Sequence, residues 1–133
     1  MKQDKARERH LWNSFRLTVD DWEKINEYQG KVCFICGRLP VGKRLSVDHS
    51  HDSGLSRGLL CAKCNPLLGK LENAFKRYGL HKIDGITLIL ILKRIILYLE
   101  NPPATQALGR VVFGFPGKTG TARHRKAIKK GTF

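Results

Sequence analysis

Two Cys-x-x-Cys pairs, Cys33/Cys36 and Cys61/Cys64, constrain this chain more than any other feature of it. They use all 4 of its cysteines, so no thiol is left over. Each pair can close a tight knuckle that turns two sulfurs toward one ion. Two knuckles supply the four thiolates that suit tetrahedral zinc. The pairs stand farther apart than in the common two-pair zinc pattern, which is explained if the insert is a structural unit of its own. The competing readings are disulfides, a redox dithiol and an iron–sulfur site. A redox motif needs only one pair, and the first residues carry no apolar stretch of the secretory kind. A closed four-sulfur site has no open position, so this zinc is expected to hold shape and not to react.

The insert reads as a hairpin followed by a helix. Residues 45–49 (LSVDH) alternate apolar and polar like a half-buried strand. Asp52-Ser53-Gly54 is a turn signal. Residues 56–60 (SRGLL) return as a second strand into Cys61. Pro66 fits the first turn of a helix, where its missing N–H costs least. That helix is expected to run to Tyr78, with Leu68, Leu71, Phe75 and Tyr78 along one side and Gly79 as its stop.

This succession of elements resembles the phage recombination endonuclease VII family, a branch of the HNH (His-Me finger) nucleases. The features that carry the resemblance are the two cysteine pairs, Asp48-His49-x-His51, Arg57-Gly58-Leu59-Leu60-Cys61 and Cys64-Asn65-x-x-Leu68-Gly69, spread over roughly residues 18–72. The resemblance implies a ββα-metal core stapled by zinc and hydrolysis of DNA phosphodiesters. It also implies a preference for branched DNA such as Holliday junctions, a homodimer with two active sites, and service in processing replicated phage DNA. The setting would be the cytoplasm of an infected host cell.

The residues can be read for that chemistry directly. Asp48 and the side-chain oxygen of Asn65 offer two ligands to Mg²⁺ or Mn²⁺, a hard cation that keeps part of its water shell. His49 is the candidate general base, since imidazole titrates near working pH. It neighbours Asp48, so on a regular strand the two face opposite ways, and a bend or bulge is needed to bring both to one phosphate. His51 either contacts the phosphate or joins the metal shell. Asn65, on its own, reads more readily as a helix cap than as a ligand. Arg57 either contacts phosphate or makes a structural salt bridge. Some nucleases of this type carry a further acid on the helix after the Asn; here Leu67 and Leu68 follow Pro66, and the nearest acid is Glu72.

The rest of the chain is strongly basic. Lys and Arg number 25 against 11 Asp and Glu, a net charge of +14, which points to a polyanionic partner. With 133 residues, 41% of them hydrophobic, the chain suffices for one domain with tails and a modest core around zinc. Residues 1–17 read as a basic arm, either frayed or laid on DNA, in which Leu11, Trp12 and Phe15 stand at helical spacing. Residues 18–80 form the expected nuclease core. It opens with a helix capped by Thr18 and Asp21, buries Trp22, Ile25 and Tyr28 or Gln29, and ends that helix at Gly30. Trp22 and Tyr28 are expected as core anchors. Lys43, Arg44, Lys76 and Arg77, with His81 and Lys82, are candidate DNA-backbone contacts.

Within the expected segment 81–101, residues 86–100 (ITLILILKRIILYLE) read as a helix stopped by Asn101-Pro102-Pro103. It is too short, and too interrupted by Lys93 and Arg94, to span a bilayer. Its apolar residues circle most of the helix, so a dimer contact through residues 86–99 is expected. Residues 102–133 are expected to be irregular and basic. Val111-Val112-Phe113 would form a short strand or an anchor, and Arg123, Arg125 and Lys126 would lie on DNA.

These readings add up to an α+β, mostly helical, zinc-stapled DNA endonuclease. The alternatives are a nicking or packaging-associated HNH nuclease acting on plain duplex, and a non-catalytic zinc module that binds nucleic acid. No membrane association is expected.

Overall fold

A computed structural model of the chain describes residues 2–114. It is an α+β structure, about half helical, with one two-stranded sheet among the described residues. It divides into two compact units at Asp84/Gly85.

In the first unit, α1 (Lys2–Phe15) is followed by α2 (Val19–Tyr28), the strands β1 (Ser46–His49) and β2 (Ser56–Leu60), α3 (Cys64–Arg77) and a 3-10 turn at Leu80–Lys82. The N-terminal arm is thus a docked helix. Leu11 is buried in the core, and Phe15 packs against it. α2 starts as its sequence requires. The Thr18 backbone N–H donates to Asp21 Oδ2 at 2.9 Å, and the Asp21 N–H donates to Thr18 Oγ1 at 3.0 Å. Trp22 is buried, but Tyr28 is 87% exposed and is no core anchor.

Gln29 takes the role expected of Tyr28, by polar bonding. Its Nε2 donates to the Leu59 carbonyl at 2.9 Å and the Val32 carbonyl at 3.0 Å, and its Oε1 accepts from the Leu59 N–H at 2.8 Å. The side-chain amide thereby pairs with β2 as a neighbouring strand would. Gly58 makes room for it, since a Cβ there would stand 3.1 Å from Gln29 Oε1.

The hairpin is antiparallel, with Ser46 opposite Leu60, Val47 opposite Leu59 and Asp48 opposite Gly58. The register then slips so that His49 faces Ser56, leaving Arg57 as the extra residue of a bulge. Val47, Leu59 and Leu60 point inward, where they meet Leu11, Trp22, Leu45 and the buried Cys33 and Cys64. α3 begins at Cys64, two residues before Pro66, and stops as expected where Gly79 turns left-handed at φ 75°. Its cap residue is Lys63, which makes no side-chain capping bond, so Asn65 is not the helix cap.

The second unit holds α4 (Leu88–Glu100) and α5 (Pro103–Leu108). α4 is the helix read from its apolar run, with Thr87 accepting from the Leu90 N–H at 3.1 Å as its cap. None of its residues is buried. The expectation of irregular chain after Asn101 is corrected in part. Pro102 and Pro103 end α4, but Pro103 also occupies the first position of α5, where a missing N–H costs nothing. Residues 111–114 form no strand, and Val111, Val112 and Phe113 are exposed, so that run is not an anchor either. Arg123, Arg125 and Lys126 lie outside the described residues. Among the described residues no helix is long and apolar enough to cross a membrane.

Candidate active site and metal centre

The four cysteines meet at one point. Their sulfurs all lie within 4.8 Å of one another, and all are free thiols. Bonds of about 2.3 Å to a central zinc set sulfurs about 3.8 Å apart. Cys36 Sγ and Cys61 Sγ stand 3.9 Å apart. Cys33 follows α2, Cys61 follows β2, and Cys64 opens α3, so one ion there ties three elements together. Burial works against ionising Cys33, yet the backbone N–H groups of Cys36, Cys61 and Ile35 bring it down to about 6. Cys64 is pushed up to about 12 by burial and then by the neighbouring sulfurs. Crowded sulfurs of this kind suit a cation that neutralises them, and the all-sulfur donor set suits structural zinc.

A separate cleft of about 440 Å³ opens beside β1, lined by His49, Asn65, Arg7, His10, Arg44 and Phe15 among others. Among the described residues no carboxylate lines it. His49 and Asn65 come from the end of β1 and the first turn of α3. Neither side chain hydrogen-bonds to a described residue. The His49 imidazole is held by its faces and edges instead. Its ring centroid lies 5.3 Å from that of Phe15 and 4.8 Å from that of His51. His51 is exposed beside it.

Asp48 lies elsewhere. It is 7% exposed and lines a second cleft with Arg57, Gly58 and Gln29. The bulge expected from the sequence is present, yet Asp48 and His49 still line different clefts. Arg57 donates from Nε to Asp48 Oδ2 at 2.7 Å and from an Nη to Asp48 Oδ1 at 3.1 Å. The same guanidinium bonds Glu72 at 2.9 Å and 3.5 Å, and the His49 carbonyl at 3.4 Å. Hydrogen bonds to Asp48 and then Glu72 hold the Arg57 pKa well above its ordinary value. Of the two readings of Arg57, the salt bridge is the one found.

The basic candidates scatter. Arg44 lines the His49 cleft, whereas Lys43 lines a hollow beside Cys36, Cys61 and Cys64. Lys76 is paired with Asp52 at 2.8 Å, and Arg77 is exposed at the end of α3. Arg7 and His10 were missed as site residues, and Gln29, offered beside Tyr28 for a helix face, was not read as a partner of the β2 backbone. For Arg7 the signal was present: Arg7, Leu11 and Phe15 recur every fourth residue and therefore share one helix face.

The family model described as recombination endonuclease VII matches residues 8–101, which include the cysteine cluster, both strands and α3. The Gene 59 protein of Mycobacterium phage L5 is 38% identical over 104 residues, covering 77% of this chain and 55% of that protein. The Gene 59 protein of Mycobacterium phage D29 is 36% identical over 104 residues, with 77% and 54% covered. The chain therefore spans about half the length of these curated relatives.

Proposed function

The chain belongs to the recombination endonuclease VII family, and from that premise we propose that it is a metal-dependent endonuclease that hydrolyses phosphodiesters of branched DNA with a zinc-stapled His-Me finger core. The observation that carries this reading is the placement of the His49 and Asn65 side chains in one cleft, neither of them hydrogen-bonded to a described residue. A net charge of +14 supports a polyanionic substrate.

In this reading His49 takes the proton of the attacking water, with Phe15 and His51 keeping its ring in place. Asn65 would hold Mg²⁺ or Mn²⁺ through its uncommitted side-chain oxygen. Asp48 would be the second ligand. A carboxylate has about four acceptor positions, and the two oxygens of Asp48 each take one bond from Arg57, so acceptor capacity remains. As Asp48 now lies, it shares no cleft with Asn65, so the set fits a cation only if DNA or the ion draws the two together. The cation, when bound, stabilises the charge that develops on the phosphate oxygens and the leaving 3′ oxygen. The unburied apolar α4 supports a homodimer joined through residues 86–99, which would present two such sites to a branch point. Arg44, Lys43, Lys76, Arg77 and the C-terminal Arg123, Arg125 and Lys126 remain proposed backbone contacts. The phage relatives support work in the cytoplasm of an infected cell.

A cleavage assay on a four-way junction and a linear duplex, with Mg²⁺, Mn²⁺ or EDTA, tests this. The expected result is junction cutting with either cation and none in EDTA. Equal cutting of both DNAs would make it a plain-duplex nuclease. Binding without cutting under every condition would leave a non-catalytic zinc module.

A further inference from the structure

Arg7 is the least explained charge in the first unit. Its guanidinium carbon sits 4.7 Å from the centre of the Trp22 ring, and Trp22 is itself 7% exposed. The cation–π contact holds the guanidinium over the aromatic ring. One of its terminal nitrogens is buried and has no hydrogen-bond partner among the described residues. No described carboxylate forms an ion pair with Arg7. A buried donor left without a partner is costly, and a charged one more so. An acceptor brought into the adjoining cleft would relieve that cost.

The ligand follows from the surroundings. Arg7 lines the same cleft as His49 and Asn65, with Arg44 and His10 beside it. Every ionisable side chain in that lining, among the described residues, is a base or a cation, which favours the phosphate of a DNA strand there. A guanidinium fork matches the paired oxygens of a phosphate. We infer that Arg7, carried in by the N-terminal helix and set over the Trp22 ring, is a phosphate-binding residue of the His49 cleft. It grips the non-bridging oxygens of the DNA phosphate that lies against His49. The inference rests on the reading of that cleft as the cleavage site. It assigns to α1 a part in binding the substrate that its basic composition alone did not specify.

The test compares wild type, Arg7→Gln, Arg7→Lys and His49→Ala, each as the full chain. Binding to a four-way junction is followed by fluorescence anisotropy across a salt series without a catalytic cation, and cleavage by single turnover with Mg²⁺. Arg7→Gln should lower the slope of log affinity against log salt by about 0.9, the loss of one neutralised phosphate. It should slow single-turnover cleavage by roughly 10–100-fold. Arg7→Lys should restore the salt slope, because the charge returns, but only part of the rate, because the fork does not. A purely structural role would lower the melting temperature and leave the salt slope unchanged. Should Arg7→Gln not fold, the Nε–H resonance of Arg7 in the unaltered protein serves instead, and it should shift on adding DNA.

Wild-type slope and wild-type rate in Arg7→Gln, with His49→Ala inactive, would overturn this inference alone. An Arg7 resonance unmoved by DNA would overturn it too. Full cleavage by His49→Ala would overturn the reading of the cleft itself, whatever Arg7 does.

Discussion

Arg57 occupies the one position of β2 without a partner in β1, and its guanidinium reaches two carboxylates and a carbonyl. The Asp48 side chain is 10% exposed and that of Arg57 31%, so the pair is largely but not wholly out of water. Removing Arg57 leaves Asp48 and Glu72 facing each other with no cation between them. Arg57→Ala should therefore cost about 2–3 kcal/mol in chemical denaturation, under the full cost of breaking a wholly buried pair. Arg57→Lys should recover less than half of that, because an ammonium cannot bond both carboxylates in the plane of a fork. No loss of stability in either variant would show that the triad does not hold the bulge. The identity of Arg57 was plain in the sequence, but its partner was not. Asp48 lies nine positions before it and Glu72 fifteen after, and only the hairpin and α3 bring them to one guanidinium.

Elements with local causes were legible, and those with distant causes were not. The α2 cap could be read from Thr18 and Asp21 because both partners lie within one turn. The turn between the strands and the stop at Gly79 were equally local. Gln29 could not be read this way, because its partner is the backbone of Leu59, thirty residues on. The helical pattern offers Tyr28 or Gln29 for the core face and does not choose between them. The α2 cap carries a pH prediction. The Thr18 backbone N–H holds the Asp21 carboxyl below its ordinary 3.8, so folding favours the ionised form. That contribution is present above the unfolded value and is lost as pH falls through the folded one. The gap in melting temperature between wild type and Asp21→Asn should thus be visible at neutral pH and close below pH 3.8. A gap that persists in acid would show that the cap does not depend on charge. For α4, light scattering should find two copies of the chain, and Ile96→Glu should find one. Ile96 is 54% exposed, so the change does not bury a charge within the chain as described. A wild-type monomer would remove the proposed dimer.

At the scale of the molecule, the first unit depends on the cysteine cluster and its few buried neighbours. Cys33 and Cys64 share their core with Trp22, Leu45 and Leu59. A core this small gains much of its stability if the cysteine cluster binds a metal. Prolonged chelation should abolish the near-ultraviolet signal of Trp22 and most secondary structure of residues 2–84, and added zinc should restore both. An unchanged spectrum after verified zinc removal would make the cluster dispensable. The hydrolytic claim is tested most directly by single-turnover cleavage of a four-way junction by His49→Ala beside wild type, with junction affinity measured in parallel. The account predicts wild-type affinity and a rate lower by roughly 10²–10⁴-fold, the usual worth of a general base. A His49→Ala protein that cuts as fast as wild type would contradict it.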